Sequence, residues 1–209
     1  MGRYLVIVAM LLGTVAGDAQ VTVNVLNRVV RIRTTSGLCS GFTIDLLGRQ
    51  YLVTAKHCIP TAAPGEVRLE WWHYDRWNGI QGRPIFASSA DVDIVAFGLS
   101  KAITVQYQFE ATLDGVMAGQ QVYFAGYPFG LASRGGVPGP AGFGELPFLK
   151  SGILSALDSR NPGAVVLYVD GQNNPGFSGG PIVFRDSRTG PFRGNRSAPL
   201  YCWRSERAG

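Results

Sequence analysis

The sequence predicts an all-β protein. Its apolar runs are short, 28 glycines and 12 prolines punctuate them, and there is no heptad pattern, internal repeat or low-complexity tract. With 46% hydrophobic and 16% charged residues over 209 positions, the chain can bury a real core and is not of disordered composition. That length suits one globular unit or two small ones packed together.

The first nineteen residues carry Arg3, an apolar run from Tyr4 to Leu12, and small residues at Val15-Ala16-Gly17 and Gly17-Asp18-Ala19. In outline this is a secretory signal peptide, too short in its apolar part to span a bilayer comfortably. Cleavage is expected near Asp18 to Val21, giving a secreted or periplasmic product with no stable membrane insertion. A buried N-terminal strand or an uncleaved anchor is the alternative. Beyond it, strand-like runs bounded by turn residues fall near 25–33, 39–45, 50–54, 66–73, 81–87 and 93–98, then near 121–126, 148–156, 164–169 and 180–184.

The net charge of +5 raises the question of a nucleic-acid or membrane partner. Its location argues against one. Six arginines from Arg185 to Arg207 face only Asp186 and Glu206, so +4 of the total sits in the last 25 residues and the body is nearly neutral. No phosphate-binding loop, dinucleotide fingerprint or RNA-binding aromatic pattern is present, and two histidines among scattered carboxylates make no zinc spacing. No cofactor or metal is expected.

Three short stretches carry chemistry. "NNPGFSGGPIVF" (173–184) holds Ser178 in a glycine-rich turn that runs straight into a strand; taken alone it also fits an ordinary tight turn. "YLVTAKHC" (51–58) puts His57 just past a strand end, where a loop presents functional groups on a rigid scaffold. "DVDIVAF" (91–97) sets Asp93 immediately before a buried-looking strand, a costly place for a carboxylate unless it is hydrogen-bonded. Asp91 is its rival, one step farther into the polar loop. In an exported chain Cys39 and Cys58 can form a bridge that clamps the His57 loop, worth about 3 kcal/mol for a ring of this size. Two reduced core cysteines are the alternative.

His57, Asp93 and Ser178 occur in the order His, Asp, Ser, each at a junction of loop and strand. With "TAKHC", "DVDIVAF", "DGQNNPGFSGGPI", "AGYPFG" (125–130) and "KSGILSAL" (150–157), the chain resembles chymotrypsin-type serine proteases. Within them it is most similar to bacterial trypsin-like peptidases of HtrA type. The resemblance implies two six-stranded antiparallel Greek-key barrels, the second in question at its C-terminal end. It divides the chain into a signal peptide (1–19), an N-terminal barrel (20–105), a C-terminal barrel (106–184) and a divergent Arg-rich tail (185–209). "C…TAKHC" looks like the cysteine bridge of the trypsin branch, whereas "NPGFSGGP" and "YPFG…SGILSAL" look like the HtrA branch.

On that resemblance Ser178 attacks a peptide carbonyl, His57 takes and returns its proton, and Asp93 fixes the imidazole tautomer. The backbone N–H groups of Gly176 and Ser178 would form the oxyanion hole, which requires backbone angles that glycine tolerates. Gly179 and Gly180 would let substrate and backbone approach closely. The family's spacing puts Gln172 near the base of the primary specificity pocket. Substrates would be peptides or proteins.

Departures from the family pattern matter too. Phe177 stands where trypsin-like zymogens carry an aspartate, and no "IVGG"-like segment follows the leader, so activation by trimming is not expected. After Phe184 the family expects two more strands and a helix, whereas only Leu200 to Trp203 looks apolar, enough for one short strand. Cys202 has no obvious partner. An inactive peptide-binding scaffold, or a truncated product, is the alternative to an endopeptidase. "EWWHYDRW" (70–77) reads as a strand with aromatics on the core face followed by a wet turn, and "RGGVPGPAGFG" (134–144) as a loop of the second barrel.

Overall fold

The structure is a computed structural model that describes residues 21–60, 65–89, 92–106, 113, 115–133, 145–160 and 164–184, together with the backbone of 201–202. The expected leader, Asp91, the loop 134–144 and most of the tail lie outside the described residues.

Seven strands build the first sheet: β1 (Val29–Thr34), β2 (Gly37–Leu46), β3 (Arg49–Ala55), β4 (Val67–His73), β5 (Arg76–Gly82), β6 (Pro84–Phe86) and β7 (Ile94–Gly98). Their spatial order is β5-β4-β1-β2-β3-β7-β6. The two edge strands, β5 and β6, are separated in the chain by Arg83 alone. One bent segment, 76–86, therefore reaches both ends of the sheet and curls it into a barrel of six effective strands. Period-2 alternation fills the interior: along β4 Leu69 and Trp71 point in, joining Ile32, Leu52, Val95 and Phe97 in one core cluster.

Two expectations for this barrel need correction. Residues 25–28 are not strand: Val23–Leu26 form a single helical turn, closed by Val25 N–H and Leu26 N–H donating to Thr22 O at 3.0 and 3.3 Å. Packing decides this, because the turn drops Val25 against Phe42, Val53 and Val183, overriding the β-branched local sequence. Second, a full strand occupies 76–82, ahead of the expected run at 81–87. Asn78-Gly79 looks like a turn dipeptide, yet the turn is Tyr74-Asp75, both left-handed at φ 50° and 55°. Asn78 supports that turn from the strand, its amide donating to His73 O and Arg76 O, each at 3.1 Å.

The second sheet contains β8 (Gln121–Gly126), β9 (Phe148–Asp158), β10 (Val166–Asp170), β11 (Pro181–Phe184) and β12 (Tyr201–Cys202), in the order β10-β9-β8-β11-β12. The short strand anticipated at 200–203 is there and pairs with β11. Val122, Phe124, Leu154, Phe177, Ile182 and Phe184 make its core. Among the described residues the second sheet has five strands, one fewer than the six effective strands of the first, so this is a chymotrypsin-like double barrel whose second member is incomplete over the described residues. All four residues of β11 are buried: Ile182 and Phe184 face their own core, while Val183 meets Phe42 and Val53 on the outside of the first barrel. That contact brings the turn before β11 against the end of β3.

Candidate active site

Strand β3 ends at Ala55 and passes into a tight turn, Lys56–Cys58, that carries His57. The turn is held at three points. Cys58 is disulfide-bonded to Cys39 on β2, with Cα atoms 6.3 Å apart. Thr34 Oγ1 donates to Cys58 O at 2.7 Å, and Lys56 N–H donates to Asp93 O at 3.2 Å. The bridge expected from the sequence is thus formed. It also removes Cys39 and Cys58 as thiolate ligands, although both sulfurs lie within 4.8 Å of a His57 ring nitrogen.

Asp93 precedes β7, which pairs with β3, so the carboxylate arrives beside the histidine turn. Oδ1 accepts the His57 backbone N–H at 2.9 Å, and Oδ2 lies 2.6 Å from His57 Nδ1. An ionised carboxylate only accepts, so the proton of this bond sits on Nδ1, and in the neutral imidazole Nε2 carries the lone pair. Asp93 is largely sheltered, at 14% side-chain exposure, while the His57 side chain is 45% exposed.

Ser178 enters from the second barrel. Its carbonyl accepts the Ser40 N–H of β2 at 2.9 Å and lies 3.9 Å from Cys58 Sγ. The sulfur has no proton within the bridge, so the latter is a packing contact. A Cβ on Gly179, at φ +84°, would run into Ser40 O and Thr54 Oγ1 and come within 2.8 Å of Ala55 N. The serine turn therefore rests on the residues that lead into His57. Among the described residues, Ser178 Oγ makes no hydrogen bond and the His57 ring bonds only Asp93. His57 and Asp93 are in direct contact, and Ser178 reaches the neighbouring Cys58 through its carbonyl while making no hydrogen bond to the imidazole.

The turn itself is fixed through its carbonyls. Phe129 N–H donates to Pro175 O at 2.7 Å and Gly180 N–H to Phe177 O at 2.9 Å, and Ser40 Oγ donates to Gly176 O at 2.6 Å. In a trans peptide the C=O and N–H point in opposite directions. Pinning Pro175 O and Phe177 O thereby aims the Gly176 and Ser178 N–H groups away from the protein scaffold. Among the described residues neither donates to any acceptor. Two unspent donors one residue apart, in a turn that glycine at φ +101° allows at Gly176, are suited to an anionic oxygen. At Gly179 and Gly180 the expected close approach of backbone is present. A Cβ on Gly180 would meet Ala125 O, and close approach of the protein's own backbone is what both glycines permit.

Several supporting residues escaped sequence reasoning. Ser40, fully buried, links β2 to both the serine turn and Tyr127, whose N–H donates to its Oγ at 2.9 Å. Tyr127 Oη donates to Val29 O at 3.1 Å, and burial pushes its pKa well above the ordinary tyrosine value. Arg31 donates to Gly130 O at 2.5 Å and pairs with Glu145 at 2.8 Å, its guanidinium 4.7 Å from the Trp72 ring and 5.4 Å from Trp77. The aromatic run is therefore split: Trp71 fills the core, while Trp72 and Trp77 flank an arginine that holds the turn beside Pro175. Gln172 is exposed, and its carbonyl accepts from Lys150 Nζ at 3.1 Å. Lys150, in register with Phe124 of β8, was not singled out by the sequence.

The double β-barrel, with His57 and Asp93 in contact at its junction, is of the class of trypsin-like serine endopeptidases. The chain belongs to the family described as the trypsin-like peptidase domain, whose model matches residues 39–190. Among solved structures it is similar to Deg5, with a TM-score of 0.50 and 21% identity over 77% of this chain and 76% of that one. It is also similar to the HtrA-type protease AlgW, solved with a tripeptide, with a TM-score of 0.50 and 22% identity over 77% of this chain and 48% of that one. At such identities the likeness is one of fold. A search of curated proteins finds no match.

Proposed function

We propose that this chain is an exported endopeptidase that cleaves peptide bonds through an acyl-enzyme on Ser178. The reading rests above all on the two-point contact of Asp93 with His57, which leaves Nε2 free to serve as the base toward Ser178. His57 would take the Ser178 proton during attack and return it to the leaving amine, and Asp93 would steady the imidazolium. The amides of Gly176 and Ser178 would receive the oxyanion. Gln172 would lie at the specificity pocket, which has no carboxylate there to favour Arg or Lys before the scissile bond. The Cys39–Cys58 bridge supports an oxidising compartment, in keeping with the expected leader over 1–19 and a secreted or periplasmic site. Among the described residues no helix is long and apolar enough to cross a membrane.

A fluorophosphonate probe tests this reading. Stoichiometric labelling of the folded chain that vanishes in Ser178→Ala supports it. Labelling that survives the substitution refutes it.

A second reading, an inactive peptide-binding scaffold, draws on the missing hydrogen bond between Ser178 and His57 and on the incomplete second barrel. A folded sample that binds peptides yet stays silent to the probe would favour it. Catalytic hydrogen bonds are commonly long in the unliganded state and tighten with substrate, which is why the first reading is preferred.

A further inference from the structure

Strand β9 carries a lysine where its neighbours carry core. Lys150 pairs with Phe124 of β8, and Gly152 with Val122. Antiparallel partners face the same side of a sheet, so Lys150, Gly152 and Leu154 all point inward with Phe124 and Val122, which are core residues. A cation directed at a barrel interior is costly unless it is well hydrogen-bonded. No carboxylate among the described residues pairs with it. Its ammonium instead donates to Gln172 O at 3.1 Å and to Asn174 Oδ1, and lies 5.4 Å from the Phe177 ring.

Both acceptors belong to the three residues that lead into the serine turn. Asn174 passes the restraint on, since its carbonyl accepts the Phe177 N–H at 3.3 Å. Phe177, at 0% exposure, packs edge-on to Phe124 at 5.2 Å. The segment 172–177 is thus gripped from β9 by the half-buried Lys150 and, at Pro175 O, by Phe129 N–H.

We propose that Lys150 is a positioning residue for the oxyanion turn: by holding Gln172 O and the Asn174 side chain, it fixes the orientation of the Gly176 and Ser178 amides without touching the substrate. This deepens the endopeptidase reading and rests on it.

Lys150→Met keeps the length of the stem and removes every donor. It is expected to lower kcat roughly 10- to 100-fold with KM within about twofold of the parent, because small misplacements of such donors act on the transition state. Inhibition by a peptide aldehyde, whose hemiacetal oxygen occupies the oxyanion position, should weaken by the same factor as kcat. A purely structural lysine would not couple those two numbers. Unchanged kcat in Lys150→Met, or a loss of activity with aldehyde affinity intact, overturns the proposal. Should that variant fail to fold, Asn174→Ala removes one acceptor. A several-fold, kcat-only loss then supports the proposal, and an unchanged kcat overturns it. A parent chain that never labels at Ser178 instead sinks the underlying endopeptidase reading.

Discussion

Asp93 holds His57 by two different groups, its Oδ1 on the backbone N–H at 2.9 Å and its Oδ2 against Nδ1 at 2.6 Å. The first bond fixes where the turn lies, and the second fixes how the ring is rotated and which nitrogen bears the proton. A side chain with one acceptor and one donor group cannot do both. Asp93→Asn should therefore fold normally and lose about 10⁴-fold in kcat, the scale found when this orienting carboxylate is amidated in Ser-His-Asp enzymes. Steady-state kinetics on a peptide substrate, with a thermal melt as control, measures it; a loss below tenfold would remove Asp93 from the mechanism.

Gly179 is the tightest point of the junction between the barrels. At φ +84° a side chain is strained, and its Cβ would meet Ser40 O and Thr54 Oγ1, atoms of β2 and β3 with no freedom to move aside. Gly179→Ala should destabilise the protein by on the order of 3 kcal/mol, combining backbone strain with overpacking. Urea unfolding reads this directly. Gly48→Ala, at φ +75° with nothing within 4 Å, isolates the backbone contribution and should cost about 1 kcal/mol.

The Cys39–Cys58 bridge closes a loop between residues 19 apart and carries the histidine turn at one end. Replacing both by alanine should cost about 3 kcal/mol. Activity should fall more steeply with temperature than in the parent, because Cys58 is next to His57. Denaturant titration of the double variant, compared with the parent kept oxidised, provides the number.

Tyr127 gives the protein an alkaline limit. Burial raises its folded-state pKa above the ordinary tyrosine value of 10.0, so from about that pH upward the unfolded chain releases a proton that the folded chain keeps. Stability is complete below pH 10 and declines as pH rises through and beyond it, by at most about 1.4 kcal/mol per pH unit. Tyr127→Phe should cost about 1 kcal/mol at neutral pH through loss of the hydroxyl bond to Val29 O. It should also flatten the alkaline decline, and an equally steep decline in the variant would exclude Tyr127 as its source.

The sequence was most legible where one local rule sufficed. Alternating apolar residues and their turn punctuation placed ten strands, and His57, Asp93 and Ser178 were visible as polar residues where loops meet strands. What escaped depends on partners distant in the chain. Strand β5 was hidden because Asn78-Gly79 imitates a turn, while the real one uses Tyr74-Asp75, of which Tyr74 has no special preference for left-handed angles. Ser40 reads as an ordinary strand serine until the turn 176–178 is brought to it. Lys150 reads as a surface lysine until strand pairing shows which way it faces. Gly179 and Gly180 were recognised as points of close backbone approach, but that the backbone belongs to the first barrel and to β8 was not readable.

The most direct test of the account is to trap the acyl-enzyme. The folded chain is mixed with an excess of an activated ester such as a p-nitrophenyl ester, quenched in acid during the burst, and mapped by mass spectrometry. The account predicts one acyl group per chain, on the peptide containing Ser178, and none in His57→Ala. Acylation on any other residue, or equal acylation of Ser178 without His57, would contradict it.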